Sequence, residues 1–154
     1  MSRILRLAVI FATITALTSC ASAPPKPTVV KAIFKVQTVV NPDARGRASP
    51  IIVRVYSLKS RATFDSADFF SLFDKDKETL GADILEREEF HLMPGENRAF
   101  EKQLSPDARY FGVFAAFRDL ERAQWRAAVT LIPHQVSNLR ISLEHNKVSV
   151  SYDK

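Results

Sequence analysis

One sulfur nucleophile, three imidazoles and two runs of carboxylates are the side chains of this sequence whose types could support chemistry. The run Asp74-Lys75-Asp76-Lys77-Glu78 begins like a calcium loop. Thr79 stands where the sharp turn needs glycine, and Leu85 where the bidentate glutamate should fall. Its interleaved lysines also repel a cation, so a calcium site is rejected. His91, His134 and His145 occupy separate segments without ligand spacing or a partnering cysteine, and no metal site is expected. Glu86 and Glu88 would share one strand face, with Glu89 beside them, as an acid–base pair might. Arg87 and Arg98 are at hand as plain charge partners, so a solvated strand edge is the adopted reading. The glycines Gly46, Gly81, Gly95 and Gly112 are isolated and build neither a phosphate cradle nor a nucleophile elbow. No enzyme is predicted. Cys20 is what remains.

Cys20 is the only cysteine, so no intramolecular disulfide can form. It follows two basic residues, Arg3 and Arg6, an apolar run over 7–17, and the small residues Thr18 and Ser19, which together make the three parts of a secretion signal over 1–19. The apolar run is too short to span a bilayer, which needs about 20 helical residues. Leu17-Thr18-Ser19-Cys20 resembles a bacterial lipobox, in which the cysteine sulfur accepts a diacylglycerol through a thioether and the freed amine takes a further acyl chain. Two or more chains hold a protein at a membrane stably. The competing reading is a secreted protein whose Cys20 is incidental. In the Gram-negative lipoproteins that this leader resembles, an aspartate after the cysteine favours inner-membrane retention; Ala21 stands there, so the resemblance implies the periplasmic face of the outer membrane. Three prolines among residues 24–27 make 20–28 an extended tether between lipid and domain.

The elements behind the tether read as one domain, 29–154. The chain has 154 residues with 46% hydrophobic and 25% charged content, ordinary for a folded domain. Outside the leader, 20 basic and 17 acidic side chains are interspersed, which excludes the concentrated basic face of a nucleic-acid binder. Ala32, Phe34, Val36, Thr38 and Val40 alternate as a first strand; residues 41–50 are a loop of turn formers; Ile51–Leu58 is a second strand. A helical insertion over 60–83, capped by Asp65 or Ser66 and closed by Gly81, carries Phe69, Phe70, Leu72 and Phe73. These aromatics are expected to plug one end of the core. Six further strands are expected near 84–92, 97–104, 109–117, 125–132, 138–144 and 147–152, with His145-Asn146 as a tight hairpin in which asparagine tolerates positive φ. About eight short strands predict an all-β, two-sheet β-sandwich.

Several segments taken together carry a family resemblance. They are Asn41-Pro42-Asp43, Gly46-Arg47, Ser49-Pro50-Ile51-Ile52-Val53-Arg54-Val55-Tyr56-Ser57-Leu58-Lys59, Ala67-Asp68-Phe69-Phe70-Ser71-Leu72, Leu80-Gly81-Ala82-Asp83, Glu88-Glu89, Pro94-Gly95, residues 113–120 and Trp125-Arg126. In this order and behind a lipobox, they resemble the outer-membrane lipoprotein family TssJ of the type VI secretion system. The resemblance implies a transthyretin-like sandwich with a small helical addition and a non-enzymatic role. It implies no cofactor beyond the covalent lipid on Cys20. It also implies binding to the periplasmic C-terminal domain of TssM within the TssJ–TssL–TssM membrane complex, anchored in the outer membrane. In that family the loop between the first two strands contributes to partner contact. Here it holds Asn41, Pro42, Asp43, Arg45, Gly46, Arg47, Ser49 and Pro50. Asp43, Arg45 and Arg47 are the candidate polar contacts, while Asn41, Pro42, Gly46 and Pro50 equally suit a purely turn-shaping role. Two other classes stay open: a periplasmic lipoprotein binding a ligand or glycan around residues 64–73, and an enzyme around residues 86–89.

Overall fold

The computed structural model describes residues 26–153. The leader 1–19, Cys20 and the tether as far as Pro25 lie outside the described residues. Among the described residues no helix is long and apolar enough to cross a membrane.

Eight strands form two four-stranded sheets. One has the order β4-β1-β7-β8 and the other β3-β2-β5-β6. The strands are β1 (Thr28–Val36), β2 (Ile51–Leu58), β3 (Ile84–Leu92), β4 (Asn97–Leu104), β5 (Tyr110–Ala115), β6 (Arg126–Thr130), β7 (Val136–Leu143) and β8 (Val148–Tyr152). All pairings are antiparallel except β1 with β7, which run parallel. The inner faces supply Val30, Phe34, Val53, Val55, Phe111, Val113, Leu139 and Ile141 to the main core, all essentially buried. Strict alternation along β1 and β7 is the period of two that a sheet with one wet face requires.

The first strand lies four residues earlier than its alternation predicts. It opens at Thr28, the last residue read as tether, whose register partner is Leu104. It closes at Val36 because the chain turns at Thr38–Val39 to receive the β3–β4 turn: Gly95 N donates to Gln37 O at 3.2 Å and Val36 N to Glu96 O at 3.0 Å. Val40 is still buried, so the apolar pattern continues past the end of the ladder.

Strands β2 and β5 are buried on both faces, and the helical insertion explains why. It does not plug an end of the core. Instead α1 (Ala62–Ser66) and α2 (Phe69–Leu80) cover the outer face of the β3-β2-β5-β6 sheet and enclose a second core of Tyr56, Leu58, Phe64, Leu72, Leu80 and Phe114. Phe69 stacks on Phe73 at 5.6 Å and meets Phe114 and Trp125 at 5.1 and 5.4 Å. Phe64 lies directly on Gly112, where a Cβ would come within 3.2 Å of its ring, so the absent side chain lets the aromatic reach the sheet. The cap of α2 is Asp68, whose Oδ1 accepts from Ser71 N at 2.9 Å, and not Asp65 or Ser66, which lie within α1. Gly81 at φ 50 ends the helix as expected.

Arg54 joins this layer to the sheet. Helix α2 is broken at Lys75, which sits at φ −138, ψ 38, and the carbonyls of Leu72 and Phe73 accept from Arg54 Nη1 at 3.0 and 2.7 Å. Asp76, buried beside them, accepts from Tyr56 Oη at 3.0 Å and Arg87 Nε at 2.6 Å, while Glu89 accepts from Arg54 Nε at 2.8 Å.

The sandwich has two unlike ends. Thr28, the β4–β5 turn (105–109), the β6–β7 loop (131–135) and the C-terminus share one, which we call the tether end. The β1–β2 loop, the β3–β4 turn, the β5–β6 segment (116–125) and the β7–β8 turn gather at the other, the loop end.

Candidate functional site

The loop 41–50 is held in one shape by two residues. Asp43 acts as an internal staple: its Oδ1 accepts from the backbone N–H of Arg45 and of Arg47, both at 2.9 Å, and its Oδ2 accepts from Arg47 Nε at 2.8 Å and Nη2 at 2.7 Å. The Arg47 backbone and guanidinium hold the Asp43 carboxyl below the usual carboxylate range. Gly46, at φ 77, completes the turn, its N–H donating to Asp43 O at 2.9 Å.

Asn41 ties the loop to everything around it. Its Nδ2 donates to Pro50 O at 2.9 Å, closing the loop's ends, and its Oδ1 accepts from Arg118 N at 2.8 Å, across 77 residues of chain. Its backbone N–H donates to His145 O at 2.9 Å. It does so at φ 48, a conformation asparagine tolerates better than most residues. Among the described residues, positive φ at non-glycine positions falls here and at His134, and not at Asn146 as the hairpin reading expected. The β7–β8 turn instead closes through Glu144 N donating to Lys147 O at 2.8 Å.

These bonds build a cleft of about 490 Å³ at the loop end. Asn41, Pro42, Asp43, Ala44 and Gly46 form one wall; Phe117, Arg118, Asp119 and Arg122 the second; His145 and Asn146 the third. The structure therefore splits the predicted loop residues by role. Asn41 is buried and, with Asp43, Arg47 and the carbonyl of Pro50, is committed to holding the shape. Pro42 and Ser49 are half-buried, and Ser49 N donates to Val40 O at 3.1 Å. Arg45 is exposed and its side chain has no hydrogen-bond or ion-pair partner among the described residues, which leaves it to offer a charge outward. The second wall was missed by sequence reasoning. Arg118 and the largely exposed Arg122, 3.9 Å from Asp119, place two more guanidinium groups beside the cleft.

Replacing Asn41 by alanine should therefore destabilise the fold by about 1–3 kcal/mol, since two part-buried hydrogen bonds are lost and alanine is strained in the left-handed backbone. Asn41→Gly should recover only the backbone part. Urea unfolding of the three proteins measures both; equal midpoints would remove Asn41 from this role.

The remaining chemical candidates have structural partners, apart from Glu86, whose buried Oε2 has no hydrogen-bond partner among the described residues. Among the described residues no group of three His, Cys, Asp or Glu side chains could hold a metal ion. Asp74 through Glu78 lie within α2, with Asp76 turned onto arginines. Glu88 pairs with Lys102 at 2.5 Å, and Glu89 with Arg54 and Arg87. Arg98, expected near these glutamates, lies over the Phe90 ring at 5.0 Å instead, because its partner position on β1 is Phe34. The aromatics of residues 64–73 pack on one another and on the sheet.

A two-sheet sandwich, one helical layer and a rigid loop-built cleft define a β-sandwich recognition module. The model of the family T6SS-SciN, described as type VI secretion lipoprotein (VasD, EvfM, TssJ), matches residues 28–146, and the chain belongs to this family. It is 38% identical to the T6SS lipoprotein TssJ1 from Pseudomonas aeruginosa, covering 83% of this chain and 98% of that one at a TM-score of 0.81. Against Serratia marcescens Lip, a membrane bound component of the type VI secretion system, the values are 29%, 83%, 99% and 0.76. A chain in the structure described as T6SS protein TssM C-terminal domain (869-1107) from EAEC matches at 26% identity over 81% of this chain and 98% of that one, with a TM-score of 0.67. No curated protein sequence matches the chain.

Proposed function

We propose that this lipoprotein is acylated at Cys20 and anchored in the outer membrane, and that its loop end binds the periplasmic C-terminal domain of TssM, so that it moors the type VI membrane complex. The observation that carries this reading is the path of β1. This strand joins the tether at Thr28 to the β1–β2 loop beyond Val36, so lipid and partner pull on its opposite ends. β1 lies between β4 and β7, with eight paired positions on each side. Load along it shears both ladders at once, and the bonds must yield together. A sandwich loaded this way transmits force without changing shape.

The likeness to a chain in the TssM structure supports the partner. About four-fifths of the present chain covers nearly all of that one, so the matched chain is far shorter than the 869–1107 segment.

Binding of the mature chain to a purified TssM periplasmic C-terminal domain tests the reading. Wild type should bind, and Arg45→Glu with Arg118→Glu should weaken the complex at least about tenfold, roughly 1.4 kcal/mol, mainly through slower association. Unchanged affinity in the double variant would place the contact elsewhere, and no binding by wild type would remove TssM as the partner.

A further inference from the structure

The tether end carries a surface that the mooring role leaves unused. The β6–β7 loop grips the chain where it leaves for the lipid: His134 N donates to Thr28 Oγ1 at 2.9 Å, the His134 ring Nδ1 lies 2.8 Å from Lys26 O, and Val29 N donates to Gln135 O at 3.1 Å. His134 holds φ 61 to do this, a left-handed backbone that only such contacts justify. The loop is therefore the first part of the domain met along the tether. Seven residues lie between Cys20 and Thr28, and the eight steps from one Cα to the other reach at most about 28 Å even fully extended.

The side chains flanking this grip suit a lipid surface. Ile132 and Val136 are large aliphatic residues left 49% and 53% exposed, on either side of His134. The loop is bonded to the β4–β5 turn, Leu131 N donating to Arg109 O at 2.8 Å. Arg109 turns its guanidinium onto the carbonyls of Pro106 and Ala108, not onto a carboxylate, and neither it nor the exposed Lys26 has an ion-pair partner among the described residues. Aliphatic tips with cations beside them partition into the headgroup region of anionic bilayers, and the carboxylates of this end, Asp107 and Asp153, are paired with Lys59 and Arg140.

We infer that the 131–136 loop rests on the phospholipid surface, with Ile132 and Val136 in the headgroup layer and Arg109 and Lys26 beside anionic lipid, so that the sandwich stands with its cleft facing away from the membrane. This rests on acylation of Cys20, and the experiment separates the two. Cys20 is the only cysteine and its sulfur is consumed by the lipid, so a cysteine introduced elsewhere takes a single fluorophore. Acylated Ile132→Cys and Met93→Cys chains, each labelled with NBD, are placed in vesicles of phosphatidylethanolamine with a minority of phosphatidylglycerol. Met93 is equally apolar and 56% exposed, but lies at the loop end. Headgroup-level nitroxide lipid should quench the label at 132 several-fold more than at 93, and blue-shift should accompany it only at 132. Vesicle-bound protein with equal quenching at both positions would overturn the lipid contact while leaving the anchor intact. Failure of the chain to float with vesicles at all, with an unmodified thiol by mass spectrometry, would overturn the anchor and the contact together.

Discussion

Replacing Cys20 by alanine should abolish type VI secretion while leaving the sandwich folded. Membrane attachment in this reading comes from acyl chains, each buried methylene contributing about 0.8 kcal/mol. Nothing else in the described chain replaces them, because no described helix is long and apolar enough to span a bilayer. A surface contact by two aliphatic side chains is far too weak to hold load. Folding, by contrast, depends on a core that begins at Thr28, eight residues beyond the lipid site. Fractionation should show the variant leaving the outer membrane, effector release should fall to background, and the unfolding midpoint should stay at the wild-type value. Restoring a cysteine behind another outer-membrane lipoprotein leader should restore secretion. Wild-type secretion by the alanine variant would contradict the mooring role.

The largest stability effect should come from Arg54→Met. Methionine matches the aliphatic stem of Arg54 but leaves the carbonyls of Leu72 and Phe73 unpartnered at the break in α2, and removes one of the two arginines facing buried Asp76. Breaking a buried pair on one side costs about 3–5 kcal/mol, more than the pair itself contributes, because the partner charge stays buried. For a domain of this size that lowers Tm by about 10–20 °C. The same network sets an acid limb. Burial alone would raise the Asp76 carboxyl, yet hydrogen bonds from Arg87 and Tyr56 and the charges of Arg87 and Arg54 outweigh it and hold it below its ordinary value. Glu89 is held low chiefly by the Arg54 hydrogen bond. Carboxylates depressed in the folded state stabilise it above their unfolded pKa, near 4, and that stability is lost as pH falls through the folded values. Thermal unfolding of the mature protein across pH should show this loss in wild type and a shallower one in Arg54→Met. An unchanged Tm, or parallel acid limbs, would contradict the network.

The comparison of sequence with structure separates two kinds of information. Strand β7, with Leu139, Ile141 and Leu143 inside, and the insertion between Leu58 and Ile84 were legible because alternation, and the break from it over 60–83, are properties of neighbouring residues. The place of the insertion was not. The same phenylalanines fit an end plug or an outer layer, and only the second core of Tyr56, Leu58 and Phe114 on the back of β2 and β5 decides between them. A both-faces-buried strand looks like a central strand whether its outer face meets a helix or another sheet. The candidate loop was readable as a loop, but Asn41 as its keystone was not, since the partner that makes it one is Arg118, 77 residues away.

What the sequence determined by itself is therefore local: eight strand segments, several with the alternation of a sheet with one wet face, and, behind the proposal, the expectation of a leader, a lipid-accepting sulfur and a proline-rich tether. These follow from the chemistry and hydropathy of consecutive residues. Only the tertiary structure decided that three separate segments close one cleft, that Arg54 bridges a broken helix to the sheet, and that tether and cleft sit at opposite ends of a strand bonded on both sides. Each of those depends on which distant residues meet. Sheet order, with β1 parallel to β7 across a hundred residues of chain, is set by how whole faces pack together.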